Sequence, residues 1–208
     1  MDDVFDVIIP ARNASETIGD VVHPFAHHPA IGDIIVVVNP SYDPGTEAVL
    51  RQYGTSVIPM YVEAQGKGEA VMFGLELVAT SHVIFCDADL TGLTEDHISQ
   101  MIMYHTIGER CMTIGMPEIP ENYPNVRRSL TAWPWISGQR VVPRTLVKSL
   151  ILHGYLMETQ INMAAYHAKL PVHFEWLDGC HSPYNLTDKR REAMEKDFKW
   201  GKEHGILA

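Results

Sequence analysis

Apolar positions in the first half of the chain fall into short β-rich runs that alternate with helical patterns. A run over 4–10 predicts a strand, and Asn13 or Ser15 can cap a helix extending to about residue 25. Residues 34–39 (IIVVVN) predict a second strand, with a helix near 47–53 and a third strand over 56–62. Residues 68–80 (GEAVMFGLELVAT) have helical spacing that puts Ala70, Phe73, Leu77 and Val78 on one face. A fourth strand over 82–86 is followed by an amphipathic helix over 94–106, with Thr94 as its cap. Such alternation implies an α/β fold with right-handed crossovers and a mainly parallel sheet buried on both faces. Ligands of open sheets of this kind sit beyond the carboxyl ends of the strands. Asp87 and Asp89 fall at such an end, as do residues 10–14 and 39–43.

The pattern loosens after 111–115. Residues 116–125 (MPEIPENYPN) carry three prolines and little periodicity, which suggests a functional loop. A helix around 155–168 and a strand over 172–176 follow, and the tail 187–200 is a charged helix with Ala193, Met194 and Phe198 as a modest apolar stripe. No repeat or linker divides the 208 residues, so one domain is expected. The formal charge of -10 opposes nonspecific binding to polyanions, so any nucleic-acid contact would need a local basic patch. Cys86, Cys111 and Cys180 form no CxxC pair and are expected to be reduced, buried thiols of a cytosolic protein. The acidic start MDDVFDVIIPARN lacks the features of a signal peptide, and no run reaches the roughly 18 apolar residues of a membrane span. A soluble, cytoplasmic protein is the expectation.

Two stretches carry chemistry. HVIFCDADLTG (82–92) is an apolar run that breaks into two carboxylates one residue apart. If the strand persisted, Asp87 and Asp89 would point the same way, and two neighbouring anions call for a cation. They could cap the next helix or mark a turn, or their hard oxygens could hold Mg2+ or Mn2+ bridging to a diphosphate. QGKGEA (65–70) joins a strand to a helix. It lacks the Ser or Thr that follows the lysine in a P-loop, and Val71 stands where GxGxxG has its third glycine. A simple turn is one explanation. Close approach of backbone and ammonium to an anion is the other.

Together these features resemble the family 2 glycosyltransferases of the GT-A fold, a single Rossmann-like domain, over roughly residues 4–180. The motifs are closest to the polyprenyl-phosphate (dolichol-phosphate mannose synthase-like) sugar transferases. VIIPARNASETI is similar to the opening VxIPxxNExxxI, whose loop cradles the base and ribose; this implies nucleotide contacts from Pro10, Ala11, Arg12 and Asn13. IIVVVNPSYDPGT keeps Ser41, Asp43 and Thr46 of VVDDGSxDGT but has Val38 and Asn39 where two acidic residues are usual. Asn39 could still hydrogen-bond a base edge, and Ser41 keeps its place in the donor site. QGKGEAVMFGL is similar to GKGxAxxxG, which implies donor contacts from Gly66, Lys67 and Gly68. CDADL matches the family's metal-binding DxD, with Asp89 as direct ligand of Mn2+ or Mg2+ and Asp87 nearer the ribose or a metal-bound water, beside Ala88. SGQRVVPRTL resembles SGFRxxxRxxL near the acceptor site, and GYLMETQINMAAYHAKLPV resembles GFxFExExxxxAxxxGxxI.

The resemblance implies a UDP- or GDP-sugar donor and transfer with inversion to a hydroxyl or phosphate acceptor. His181, in GCHSPYN, is a candidate third metal ligand. Glu158 matches the acidic position expected of a base for an alcohol acceptor; a phosphate acceptor needs none. Arg140, and with it Arg127 or Arg128, could hold an anionic acceptor, and Trp133 and Trp135 could stack on a sugar or pack in the core. The chain then divides into a nucleotide-sugar half (1–115), an acceptor-side half (116–186) and a C-terminal helix (187–208). Candidate acceptors are a polyprenyl phosphate, a small molecule, a protein, or a hydroxymethylated DNA base as in some viral enzymes; a homodimer is possible. A sugar-phosphate nucleotidyltransferase and a degenerate binding fold are the alternatives. The first is disfavoured because PARNASET has no glycine-rich loop.

Overall fold

Side chains of the first strand, β1 (Phe5–Ala11), alternate between two apolar layers: Phe5, Val7, Ile9 and Ala11 enter one and Ile8 the other. The next strand, β2 (Ile31–Val38), does the same, with Ile34, Val36 and Val38 against Ile35 and Val37. Residues buried on both faces need helices on both faces, and the computed structural model shows them. It describes residues 4–40, 44–106, 111–118, 135, 137–182, 192, 199 and 203. On one side, α1 (Ile18–His27) contributes Ile18, Val21, Val22 and Phe25. On the other, α3 (Lys67–Leu75), which follows the short α2 (Pro44–Leu50), contributes Ala70 and Val71.

The described strands form one sheet in the order β3-β2-β1-β4-β6-β5-β7. β3 (Val57–Tyr61), β2, β1 and β4 (His82–Phe85) are parallel neighbours. β6 (Arg140–Pro143) runs antiparallel between β4 and β5 (Met112–Glu118), and β7 (Val172–His181) returns parallel to β5. A mainly parallel α/β sheet is therefore present, with an inserted antiparallel strand that the sequence pattern did not announce. Met116–Glu118, expected in a loop, complete β5, and β7 runs five residues past its expected end at 176.

Helix α4 (Glu95–Thr106) starts as expected. Thr94 Oγ1 accepts the His97 N–H at 3.3 Å, and His97 Nδ1 accepts the Thr94 N–H at 3.3 Å, a reciprocal cap with histidine in the usual Glu or Gln place. Helix α1 is different. Neither Asn13 nor Ser15 caps it; the residue before it is Thr17, whose hydroxyl is used elsewhere. The third departure is α3, which ends at Leu75 and turns Phe73 and Leu77 outward, 39% and 41% exposed. Its inward face is small: a Cβ on Gly74 would stand 2.7 Å from Ile8 Cγ2, so the helix lies close on β1 because that position has no side chain. A short helix α5 (Arg144–Val147) and α6 (Met157–His167), which buries Met157, Ile161 and Ala165, complete the described helices of the core. Glu192, Lys199 and Glu203 are exposed. The rest of the expected tail helix lies outside the described residues.

Cys86, Cys111 and Cys180 are free and buried, as expected. Burial pushes the Cys86 thiol well above its ordinary range, with the Asp87 charge adding to the effect. Cys180 is pushed up to about 12, again by burial first and by Glu118 second.

Candidate functional site

β4 ends at Phe85, although the Cys86 N–H still donates to Ile8 O at 3.2 Å. Asp87 follows outside the strand, and Ala88 and Asp89 form a turn, so strand alternation does not govern the two carboxylates. Sheet register brings them to the rim instead: the pair Ile8↔Phe85 sets Asp87 level with Pro10, at the carboxyl end of β1. Thr17 Oγ1 donates to Ala88 O at 2.7 Å, tying the loop after β1 to this turn. At the end of β1 Pro10 is half-buried and Ala11 buried, and in the loop that follows Arg12 and Asn13 are exposed, with Asn13 at φ 54. The buried Asn39 takes up the next gap: its N–H donates to Ala11 O at 3.1 Å and its Nδ2 to Ala64 O at 3.0 Å. The three loops after β1, β2 and β3 are thus stitched together around the end of β4.

Gly66 precedes α3 and Lys67 is its first residue, so the start of the helix, whose first N–H groups have no partner within the helix, follows the carboxyl end of β3. Gly68 is required there: a Cβ would stand 2.8 Å from Leu152 C and His153 N, both backbone atoms. Lys67 Nζ lies 2.5 Å from Asp87 Oδ1 and 2.7 Å from Glu158 Oε1 on the first turn of α6. Burial alone would lower the ammonium's pKa, but Asp87 and Glu158 outweigh it, and Lys67 is held above its ordinary value. The cation demanded by the acidic pair is, in part, this lysine. Gln139 Nε2 donates to Asp87 Oδ2 at 3.0 Å, so both oxygens of Asp87 meet donors from the chain. Gly138 covers the ion pair so closely that a Cβ there would approach Asp87 Oδ2 to 2.5 Å.

Arg140 is placed differently from the sequence expectation. It is fully buried on β6, donating from Nε to Ser137 O at 2.7 Å and from its two terminal nitrogens to Asn162 Oδ1 and Trp135 O. Burial pushes its guanidinium down to about 10, while Glu158 and Asp87 pull the other way. A side chain enclosed and bonded in this way braces the Ser137–Gln139 turn and presents no face to an acceptor. Trp135, 40% exposed, packs edge-on against Phe174. Ser41, Arg127, Arg128 and Trp133 lie outside the described residues.

His181, at the end of β7, comes to the same rim through its backbone, which exchanges hydrogen bonds with Thr91 at 2.8 and 3.0 Å, two residues past Asp89. Among the described residues no three His, Cys, Asp or Glu side chains are already gathered as a metal cluster. The donor chemistry nonetheless suits a hard cation: Asp87 and Asp89 offer carboxylate oxygens at a partly open rim, where a diphosphate could complete the coordination. Sequence reasoning missed Thr17, Ser137 and Gln139. The last two lie inside the quoted SGQR motif, which was the signal available.

No described helix is long and apolar enough to cross a membrane. Among curated relatives, the 4,4'-diaponeurosporenoate glycosyltransferase of Staphylococcus aureus strain MRSA252 is 34% identical over 109 residues, 50% of this chain and 29% of the relative. The chain thus spans less than a third of the length of that relative. Glucosyl-3-phosphoglycerate synthase of Mycobacterium tuberculosis, solved with Mn2+ and UDP-glucose, superposes with a TM-score of 0.78 at 20% identity, over 99% of this chain and 80% of that one. The same enzyme with Mn2+, UDP and glucosyl-3-phosphoglycerate gives 0.79 at 19% identity, over 99% and 81%. These likenesses show a shared fold, the GT-A fold. The model of the family described as Glycosyl transferase family 2 matches residues 6–157, and this chain belongs to that family.

Proposed function

We propose that the chain is a metal-dependent glycosyltransferase that moves a sugar from a nucleoside-diphosphate sugar to a hydroxyl or phosphate acceptor, with inversion. The observation that carries this is the Asp87–Ala88–Asp89 turn at the end of β4, ringed by the loops after β1 and β2 and by the Lys67 end of α3. Family membership and the fold shared with an enzyme solved with Mn2+ and UDP-glucose support it, and favour a UDP-sugar over a GDP-sugar.

In this account the base and ribose lie against Pro10–Asn13, Asn39 and Ser41, and the diphosphate against Gly66, Lys67 and Gly68 at the start of α3. Asp89 would hold Mn2+ or Mg2+ directly, with His181 as a further candidate ligand, and Asp87 would stand nearer the ribose or a metal-bound water because its oxygens are engaged by Lys67 and Gln139. The ion, when bound, supplies positive charge where the departing diphosphate becomes more negative. The acceptor oxygen attacks the anomeric carbon, and the bond from that carbon to the diphosphate oxygen breaks with its electron pair leaving on the nucleoside diphosphate. Lys67 stabilises that anion. With an alcohol acceptor, the Glu158 carboxylate takes the proton; a phosphate acceptor is already ionised. Arg140 acts through the Ser137–Gln139 turn as a positioning residue.

The test is incubation with Mn2+ and a panel of UDP- and GDP-sugars, with and without phosphorylated small molecules, polyprenyl phosphates and alcohols. Metal-dependent release of nucleoside diphosphate, with a matching mass gain in one acceptor, is expected. Release of pyrophosphate, or silence across the panel, contradicts the proposal.

A further inference from the structure

The last turn of β7 is built to hold His181 in one place. Its register with β5 shifts between Pro117 and Glu118, so that Glu118 comes opposite His181. Gly179 has φ 77 and Gly92 has φ 76, and a Cβ on Gly92 would stand 2.2 Å from Gly179 O. Two left-handed glycines thus let the β7 end press against the loop that follows Asp89. His97, inside the cap of α4, adds a contact from Nε2 to Asp178 O at 3.1 Å.

Within this clamp, Glu118 Oε1 accepts the Gly179 N–H at 2.9 Å, and Ser182 donates its N–H to Glu118 O at 3.3 Å. The carboxylate is therefore fixed before it meets the histidine. Its other oxygen, Oε2, lies 3.5 Å from His181 Nδ1, with the side chains 47% and 51% exposed. A carboxylate facing Nδ1 favours the tautomer with the proton on that nitrogen. The Nε2 lone pair is then the one left for a metal.

We propose that Glu118 is a positioning residue that orients His181, presenting Nε2 to a divalent cation held at Asp89. This rests on the assignment of His181 as a ligand made above. Nothing in the sequence motifs marks Glu118, since it lies in the proline-rich stretch after the regular pattern ends.

The experiment is a double-mutant cycle read by Mn2+ affinity of the full chain in saturating UDP, from the EPR signal of free Mn2+. His181→Ala is expected to weaken Mn2+ binding about 10- to 100-fold, and Glu118→Ala by about 10-fold. In the H181A background, Glu118→Ala is expected to change affinity less than about 2-fold, because its effect runs through the ring. Glu118→Gln, which keeps an acceptor oxygen for Nδ1–H, is expected to retain most of the affinity, and Glu118→Met, which has no such acceptor but keeps the length of the side chain, takes the place of E118A in the cycle if E118A does not fold. Unchanged affinity in E118A overturns the inference. So does an equal loss in both backgrounds, which would place the effect in the Gly179 contact. Parent-like affinity in H181A removes the ligand itself, and this inference with it. Release of UDP from a UDP-sugar by the parent chain is scored separately, so the glycosyltransferase proposal stands or falls on its own result.

Discussion

Replacing Lys67 by Met keeps the apolar stem and removes the ammonium that joins Asp87 to Glu158. Breaking a buried pair by deleting one partner costs about 3–5 kcal/mol, because the remaining charge stays buried without compensation. Here two carboxylates are left, but the side chains of Lys67, Asp87 and Glu158 keep 19%, 26% and 10% exposure. Water and salt recover part of the loss, so about 2–4 kcal/mol is expected. For a chain of this size that is a fall in Tm on the order of 10 °C, read by thermal denaturation in EDTA. The pH dependence has a definite sign. The folded pKa of Lys67 lies above its ordinary 10.5, so the contribution is complete below that value and disappears as pH rises through the folded pKa. The stability gap between parent and K67M is therefore constant from about pH 6 to about pH 9. A Tm within about 2 °C of the parent, or a gap that closes across that window, would refute this reasoning.

Three further outcomes are expected. Asp89→Ala lowers nucleoside-diphosphate release from the donor by at least about 100-fold, while Tm stays within a few degrees because a rim carboxylate adds little to the core; full activity would contradict the metal assignment. Gly68→Ala forces its methyl against the backbone of Leu152 and His153 and destabilises the chain by about 1–3 kcal/mol in urea denaturation; an unchanged midpoint would show that the α3–α6 junction yields freely. Arg140→Met leaves Ser137 O and Asn162 Oδ1 without the guanidinium donor, removes one of the two donors to Trp135 O, and lowers stability by about 2–4 kcal/mol, with activity falling in parallel. A normal Tm with a raised KM for acceptor would instead return Arg140 to the acceptor site.

The parallel half of the fold was legible because β1, β2 and β4 each carry an unbroken apolar stretch (VII, IIVVV and VIF) that leads into a turn-forming segment. β6 was not. A four-residue run ending in proline has no periodicity of its own, and its place is settled by pairing with β4 across more than fifty residues of chain and with β5 across more than twenty. Helix α3 misled for another reason. Counting apolar residues put Ala70, Phe73, Leu77 and Val78 on the inner face; Ala70 and Val78 are buried there, but Phe73 and Leu77 are not, and the close approach to β1 is made by Gly74. In the candidate site, the residue types of Asp87, Lys67 and Glu158 could be read from motifs. That the lysine would bridge the other two, 91 residues from Glu158, could not. Arg140 shows the converse: a charged residue in a functional motif that the fold encloses as a brace.

The most direct measurement is a crystal structure of the full chain grown with Mn2+ and UDP, with anomalous scattering used to find the metal. An anomalous peak bridging the Asp89 carboxylate and the two phosphates, with the base against the loop after β1, is the predicted result. A nucleotide bound at the β4 rim with no metal beside Asp89, or no nucleotide there at all, would contradict the account.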